Sequence, residues 1–177
     1  MIGSNGLRLA VAAVALHAAG GGAEEPRYRE ASRDEKLAAA RRVMGADPLC
    51  ALITTDAQGH PRARTVEPFP PEPDLTVWIA TNPSTRKVGE IRDNPRVTLY
   101  YDDDPGESYV TIMGTARIHE DLETKLRRRH RLIEKYWPAF PEDYTLIEVK
   151  PIWLEVVVPG IPNHPKTWRP QEVRFDE

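Results

Sequence analysis

Proline is the feature that most restricts how this chain can fold. The sequence has 17 prolines among 177 residues, nearly twice the usual ~5%. Proline interrupts helices and cannot donate the hydrogen bond that a central strand needs. A long helical bundle is therefore disfavoured, and short strands joined by turns are favoured. The length suits one domain of ordinary size that buries a real core.

Charge and cysteine content argue against several classes of function. The formal net charge of −3 is too balanced to indicate a nucleic-acid or membrane partner, and we expect neither. The basic run KLRRRHRLIEK (125–135) has cations on nearly every helical face and few aromatics, which favours a solvated, salt-bridged helix. The single cysteine, Cys50, excludes an intrachain disulfide framework and a thiolate zinc cluster. The five histidines are too far apart to show a ligand pair, so we expect no metal site.

The N-terminal segment differs from the rest of the chain. Arg8 precedes an apolar run (9–16) that is much shorter than the ~20 residues needed to span a bilayer. A basic start, an apolar middle and small residues at the end are typical of a secretory signal peptide. Residues 1–25 are interpreted as a signal peptide or a disordered extension, and residues 26–177 as the folded domain. If residues 1–23 are a signal peptide, we expect export to the periplasm; otherwise we expect a cytoplasmic protein.

Hydrophobic periodicity predicts a mainly β (α+β) fold, an antiparallel barrel with peripheral helices. Ser32 and Glu35 have the spacing of a capping box. Gly114 inside a long strand predicts a bulge or a close backbone approach, and Lys150-Pro151 predicts a break between the last two strands. The proline-rich tail PGIPNHPKTWRPQ (159–171) is expected to be irregular. Helices are predicted at 32–46, 84–92 and 121–136, and strands at 49–56, 62–69, 75–80, 96–102, 108–119, 145–149 and 152–158.

The segment TNPSTRKVGEI (81–91) is the clearest candidate for ligand binding. Two hydroxyl residues precede Arg86 and Lys87 where a helix begins, and free backbone N–H groups and the helix dipole favour an anion there. The two cations oppose that dipole. A bound phosphate would resolve the conflict by accepting hydrogen bonds and pairing with both cations. The alternative is that the cations face solvent or pair with Glu90 or Asp93.

The strand RARTVEP (62–68) is the second candidate. Arg62 and Arg64 share one face with Val66, because alternate side chains of a strand point to the same side. Two like charges beside an apolar residue suit either open water or a polyanion. From these residues alone, a solvated edge strand is favoured over an anion-binding strand.

Three runs of the sequence resemble a known family. DAQGHPRARTV, WIATNPSTRKVGEIRDNPRVTLYY and VTIMGTARI are similar to the pyridoxamine 5′-phosphate oxidase-like, FMN-binding split-barrel family, most of all to its general-stress-protein branch. The resemblance covers roughly residues 32–158. Its most specific element is T-N-x-x-[ST]-R-K followed by a short helix and N-P-R-V.

The resemblance implies a split β-barrel homodimer with FMN bound at the subunit interface. It also implies which residues bind the cofactor, although it assigns no catalytic side chain. The apolar strand faces at Val97, Leu99, Val110 and Ile112 are the candidate dimer interface. The implied cofactor-binding residues are Arg64, Thr65, Val66, Glu67, Ala80, Thr81, Thr85, Arg86 and Lys87.

The sequence departs from the family's true oxidases at their substrate positions. Phe69 stands where those enzymes carry a lysine, and Arg127 and Lys135 replace the tyrosine and serine that accompany Arg131. The C-terminal R-x-H signature is absent. A buried substrate phosphate needs several directed donors, so we do not expect pyridoxamine phosphate oxidation. The expected function is an FMN-dependent oxidoreductase with an unidentified small-molecule substrate. The alternatives are a non-catalytic flavin- or haem-binding stress protein and a deazaflavin-dependent reductase.

Overall fold

The computed structural model describes residues 28–103 and 107–175, so the predicted signal peptide or extension lies outside the described residues. The capping box at Ser32 and Glu35 is confirmed at the start of the first helix. In the described part of the chain, no helix is long and apolar enough to cross a membrane. The elements are α1 (Arg33–Met44), β1 (Cys50–Thr55), β2 (Pro61–Val66), β3 (Val77–Thr81), α2 (Arg86–Asp93), β4 (Arg96–Asp102), β5 (Tyr109–His119), α3 (Leu122–Arg127), α4 (Ile133–Tyr136), β6 (Thr145–Val157) and β7 (Gln171–Arg174).

The strands form one antiparallel sheet that closes on itself. Their order is β2-β1-β4-β5-β6-β3, and β7 pairs with β6. The two ends of this order meet where Pro68 forms an isolated bridge to Ile79 and where the Phe69 N–H donates to the Trp78 carbonyl at 2.8 Å. The chain after β2 and strand β3 are thus joined by one isolated bridge and not by a continuous ladder, so the barrel is split at this point. The predicted mainly β, antiparallel split barrel with peripheral helices is therefore confirmed.

The barrel interior is filled by every second residue of its strands. Leu52, Leu99, Ile112 and Leu154 are fully buried there. The interface prediction for Val97, Leu99, Val110 and Ile112 is wrong, because all four side chains lie in the core of their own chain. Strand alternation turns their neighbours outward instead.

The predicted break at Lys150-Pro151 is wrong, since β6 runs through it. The register of β5 and β6 shifts beside Gly114, which pairs with Pro151, and Ile152 has no partner in the register. This β-bulge lets the strand accommodate a proline without ending. A Cβ atom at Gly114 would lie 2.4 Å from the Lys150 carbonyl oxygen. The predicted bulge and close backbone approach at Gly114 are thus confirmed.

The predicted helix 121–136 is interrupted, so that α3 and α4 are separate. The Tyr144 hydroxyl donates to the Arg128 carbonyl at 2.5 Å and accepts from the His130 N–H at 3.2 Å. These bonds hold backbone groups that a continuous helix would use itself. The expectation of an irregular tail over 159–171 is confirmed up to its last residue, since β7 begins at Gln171. This strand, which the sequence analysis did not predict, extends the sheet and buries Val173.

Candidate functional site

The chain between β3 and α2 leaves the first turn of α2 open to a ligand. Asn82 shapes this turn, because its side chain accepts from the Ser84 N–H at 2.9 Å. Thr85 is the N-cap of α2, but its side chain makes no capping hydrogen bond. Its hydroxyl instead donates to the Asn82 carbonyl and lies 3.3 Å from the Thr81 hydroxyl. The first N–H groups of a helix have no acceptor within the helix, so those of α2 suit an anion.

Two half-buried cations from distant parts of the sequence converge beside this turn. Lys87 reaches back from α2 to donate to the Thr81 hydroxyl at 2.9 Å. Arg64 extends from β2 and donates to the Thr54 hydroxyl of β1. Burial lowers the pKa of Lys87, and the nearby charge of Arg64 lowers it further, while Glu90 opposes the shift. The structure thus brings Arg64 and Lys87 together, and their assignment to the cofactor stays a prediction.

Arg86 lies differently from the other two cations. Its Nε atom is 3.0 Å from Oε1 of Glu90, and 71% of its side chain is exposed. The pairing with Glu90 considered as an alternative is therefore present for Arg86. The guanidinium borders a cavity of about 490 Å³ that Ser84 and Thr85 also line. Arg64, Thr81, Thr85, Arg86 and Lys87 are called the α2 cluster below.

Glu90 is the site residue that the sequence analysis considered only as a surface partner. It is 6% exposed, and its Oε2 atom accepts from the Thr54 hydroxyl at 2.5 Å and from Arg64 at 2.8 Å. Burial alone would raise the pKa of Glu90. The hydrogen bonds from Thr54 and Arg64, with the charges of Arg64 and Arg86, outweigh burial and lower that pKa. Glu90 is thus a buried carboxylate in its charged form.

The position of Glu90 along α2 is the one sequence feature that indicates its burial. Val88 and Ile91 define the apolar face of α2, and Glu90 adjoins Ile91 on the helix. Spacing alone nevertheless pairs Glu90 with Arg86 at i, i+4, which is the usual pattern of an exposed ion pair.

The other predicted site residues do not join the α2 cluster. Val66 lies in the barrel core, and Thr65 is exposed on the opposite face of β2. Ala80 packs against a second apolar cluster that contains Trp78 and Trp137. Their assignment to the cofactor stays a prediction.

Glu67 lies beside a second cavity. Its carboxylate pairs with Arg131 and lies 3.9 Å from Nε2 of His130. Burial, the dominant effect, and the charge of Arg131 lower the pKa of His130 despite Glu67. The cavity has a volume of about 400 Å³ and is mostly apolar, with Phe69 and Tyr101 in its wall.

The described residues offer no evident metal centre. Within residues 28–103 and 107–175, no group of three or more histidine, cysteine, aspartate or glutamate side chains is placed to hold a metal ion. Cys50 is buried, and burial raises the pKa of its thiol to about 11. The donor set of the α2 cluster, hydroxyls with guanidinium and ammonium groups, suits an anion rather than a cation.

The sequence matches one family over most of the barrel. The profile of the family described as Pyridoxamine 5′-phosphate oxidase matches residues 37–157. General stress protein 26 of Bacillus subtilis (strain 168) is 28% identical over an alignment of 103 residues that covers 56% of this chain and 72% of that protein.

Solved structures share the fold at low sequence identity. A protein related to general stress protein 26 (pyridoxinephosphate oxidase family) from Clostridium acetobutylicum superposes with a TM-score of 0.65 at 20% identity, over 80% of this chain and 94% of that chain. A heme binding protein from Mycobacterium smegmatis superposes with a TM-score of 0.55 at 19% identity, over 67% of this chain and 52% of that chain. At these identities the similarity concerns the fold alone.

Proposed function

The chain belongs to the pyridoxamine 5′-phosphate oxidase family, and from this premise we propose that it is an FMN-binding flavoprotein that acts as an oxidoreductase on a small molecule. The observation that carries the proposal is the convergence of Arg64 and Lys87 beside the open first turn of α2. Both cations are half-buried, so their charges are less screened than those of surface residues. A phosphate monoester is the group that this donor set fits best.

The chain's own residues would bind and orient the cofactor. Lys87 and the N–H groups of α2 would donate to phosphate oxygens, and the Thr81 hydroxyl would add a donor. The Thr85 hydroxyl would join them only by giving up its bond to the Asn82 carbonyl. Arg86 is exposed enough to turn from Glu90 towards the same group. When bound, FMN would supply the hydride or electron transfer, while the protein provides position and electrostatics.

The structure also supports the expectation that pyridoxamine phosphate is not the substrate. Arg131, which the family resemblance places at the position of a substrate-binding arginine, is already paired with Glu67. Phe69 packs edge-on against His130, with ring centroids 5.6 Å apart, and supplies no donor. A second phosphate would therefore find few directed donors on this side.

The absorption spectrum of the purified protein tests the cofactor directly. We expect the two-band spectrum of oxidised flavin, and release of FMN on denaturation. A haem Soret band would replace this proposal with haem binding, which is the property named for one structural neighbour. The absorbance of a deazaflavin would indicate the deazaflavin-dependent alternative. If flavin is present, its reduction by a nicotinamide cofactor with turnover supports an enzyme over a binding protein.

We further propose that the functional unit is a homodimer, as in the family resemblance. The outer face of the sheet carries partly exposed apolar residues that a second copy would cover. Tyr100 and Ile152 are 37% and 38% exposed, and Tyr100 stacks on Tyr109 with ring centroids 5.6 Å apart. Light scattering of the flavin-loaded protein should give the mass of a dimer. A monomer that retains flavin would contradict this assembly.

A further inference from the structure

Glu90 connects three elements around the α2 cluster. Its Oε2 atom accepts from Thr54 of β1 and from Arg64 of β2, and its Oε1 atom faces Arg86 of α2. Thr54 also accepts a hydrogen bond from Arg64, so the hydroxyl, the guanidinium and the carboxylate form a closed triangle. Thr54 is 1% exposed, and Glu90 is 6% exposed. This arrangement fixes the end of the Arg64 side chain.

The charges at the site require a carboxylate such as Glu90. Arg64 and Lys87 are two half-buried like charges, and like charges repel strongly where water is scarce. The charge of Glu90 raises the pKa of Lys87, whereas burial and Arg64 lower it. Glu90 thus favours the charged form of Lys87 and offsets the repulsion between Lys87 and Arg64.

The triangle leaves donors available to a ligand. A guanidinium has five N–H donors, and the bonds to Thr54 and Glu90 occupy one on each terminal nitrogen of Arg64. Oε1 of Glu90 has no partner with hydrogen-bond geometry among the described residues, because Arg86 is near it without that geometry. Arg86 is therefore held by charge rather than by a directed bond and is free to turn.

We propose that Glu90 is a positioning residue that orients Arg64 for the cofactor phosphate and keeps the charge of Arg86 beside it. The inference rests on the proposed function, since the phosphate is that of FMN. It adds a role for a residue that touches the cations and not the phosphate. Preorganised donors bind more tightly because less side-chain freedom is lost on binding.

Ligand affinity gives the first test. Glu90→Gln keeps the shape of the side chain and removes its charge. We expect the dissociation constant for FMN to rise about tenfold, the equivalent of one charged hydrogen bond. That for riboflavin, which lacks the phosphate, should change less than about twofold. Glu120→Gln is the matched control. Glu120 pairs at 2.8 Å with Arg92, which is in α2 like Glu90, but this pair lies on the surface. This control should leave both constants unchanged.

An NMR measurement without ligand tests the positioning itself. In the wild type we expect separate, slowly exchanging signals for the terminal nitrogens of Arg64, because the triangle restricts rotation of the guanidinium. Loss of those signals in Arg64→Lys assigns them. In Glu90→Gln they should merge. If Glu90→Gln does not fold, Thr54→Val is the substitute, because it removes one corner of the triangle. In this variant the Arg64 signals should broaden towards each other, but less completely than in Glu90→Gln.

The two measurements separate the two proposals. Separate Arg64 signals that persist in Glu90→Gln, or FMN affinity that is unchanged or tighter in this variant, would overturn the positioning role. A wild type that shows the ordered Arg64 signals and binds FMN no better than riboflavin would overturn the phosphate site. The effect of Glu90 on Arg64 order would stand in that case.

Discussion

Two regions of this protein are rich in arginine and lysine, and they hold these charges in different ways. In the segment of α3 and α4, two exposed arginines pair with separate acids. Arg127 lies 3.9 Å from Glu123, and Arg129 lies 3.8 Å from Glu134, with all four side chains more than half exposed. In the α2 cluster, by contrast, two arginines share the single buried carboxylate of Glu90.

The difference shows why the density of positive charge is a poor guide to a binding site. Exposed pairs contribute about 0–1 kcal/mol and are screened by salt. Half-buried cations that outnumber their carboxylate retain donors and net charge for a ligand. The same residue types therefore make a solvated surface in one region and an anion site in the other.

The largest expected effect is on FMN affinity, and it should appear when two cations are removed from the α2 cluster but not when two are removed from the α3 and α4 segment. Arg86→Ala with Lys87→Ala should weaken FMN binding by about 3 kcal/mol, taking each charged hydrogen bond as about 1.5–3 kcal/mol. Arg127→Ala with Arg129→Ala removes the same number of charges from the α3 and α4 segment and should leave FMN affinity unchanged. Fluorescence titration of FMN into both double variants makes the comparison. Equal losses in the two would show that net charge alone attracts the cofactor.

A smaller effect is expected on stability, when an acid from each region is neutralised. Glu90→Gln should lower the free energy of unfolding at pH 7 by about 2 kcal/mol, because Glu90 accepts two buried hydrogen bonds. Glu123→Gln should cost less than about 1 kcal/mol. Urea denaturation at several pH values measures both.

The pH dependence of this stability difference follows from the direction of the pKa shift. The folded-state pKa of Glu90 is below its ordinary value of 4.5, so its charge stabilises the fold above pH 4.5. This contribution is lost as the pH falls through the folded-state pKa. The gap between the wild type and Glu90→Gln should therefore shrink in acid. A gap that grows in acid would mean that Glu90 is buried as the neutral acid.

The smallest effect concerns alkaline pH. The pKa of Lys87 lies below 10.5, chiefly because of burial, so its charge is lost earlier than that of an exposed lysine. The ratio of FMN to riboflavin affinity should fall about fivefold as the pH rises through this pKa, since a neutral amine still donates a hydrogen bond. Riboflavin controls for titration of the flavin ring itself. Lys87→Arg should keep the ratio constant, and a parallel fall in that variant would assign the titration to another group.

Most of the barrel could be predicted from local pattern. Strict alternation in β4 and β5 and the turn residues between strands specify hairpins, and Gly114 marks the bulge. The continuous β6 could not be predicted, because a proline ends a strand unless the neighbouring strand shifts register around it. The break between α3 and α4 likewise depends on Tyr144, which is distant in sequence.

The candidate site likewise contains residues that local sequence reveals and residues that only tertiary packing reveals. The segment of Thr85, Arg86 and Lys87 is recognisable because its residues are consecutive. The role of Glu90 depends on β1 and β2 packing beside α2, which brings Thr54 and Arg64 to its carboxylate. No pattern within a single helix contains that information.

The most direct test of the α2 cluster as a phosphate site is the affinity of the wild-type protein for FMN and for riboflavin, measured by flavin fluorescence in the same buffer. The two ligands share the ring and the ribityl chain and differ only in the phosphate. Two charged hydrogen bonds of about 1.5 kcal/mol each predict FMN binding that is tighter by at least about 100-fold. Equal affinity for the two ligands would contradict the account, because the cations of the α2 cluster would then hold no phosphate.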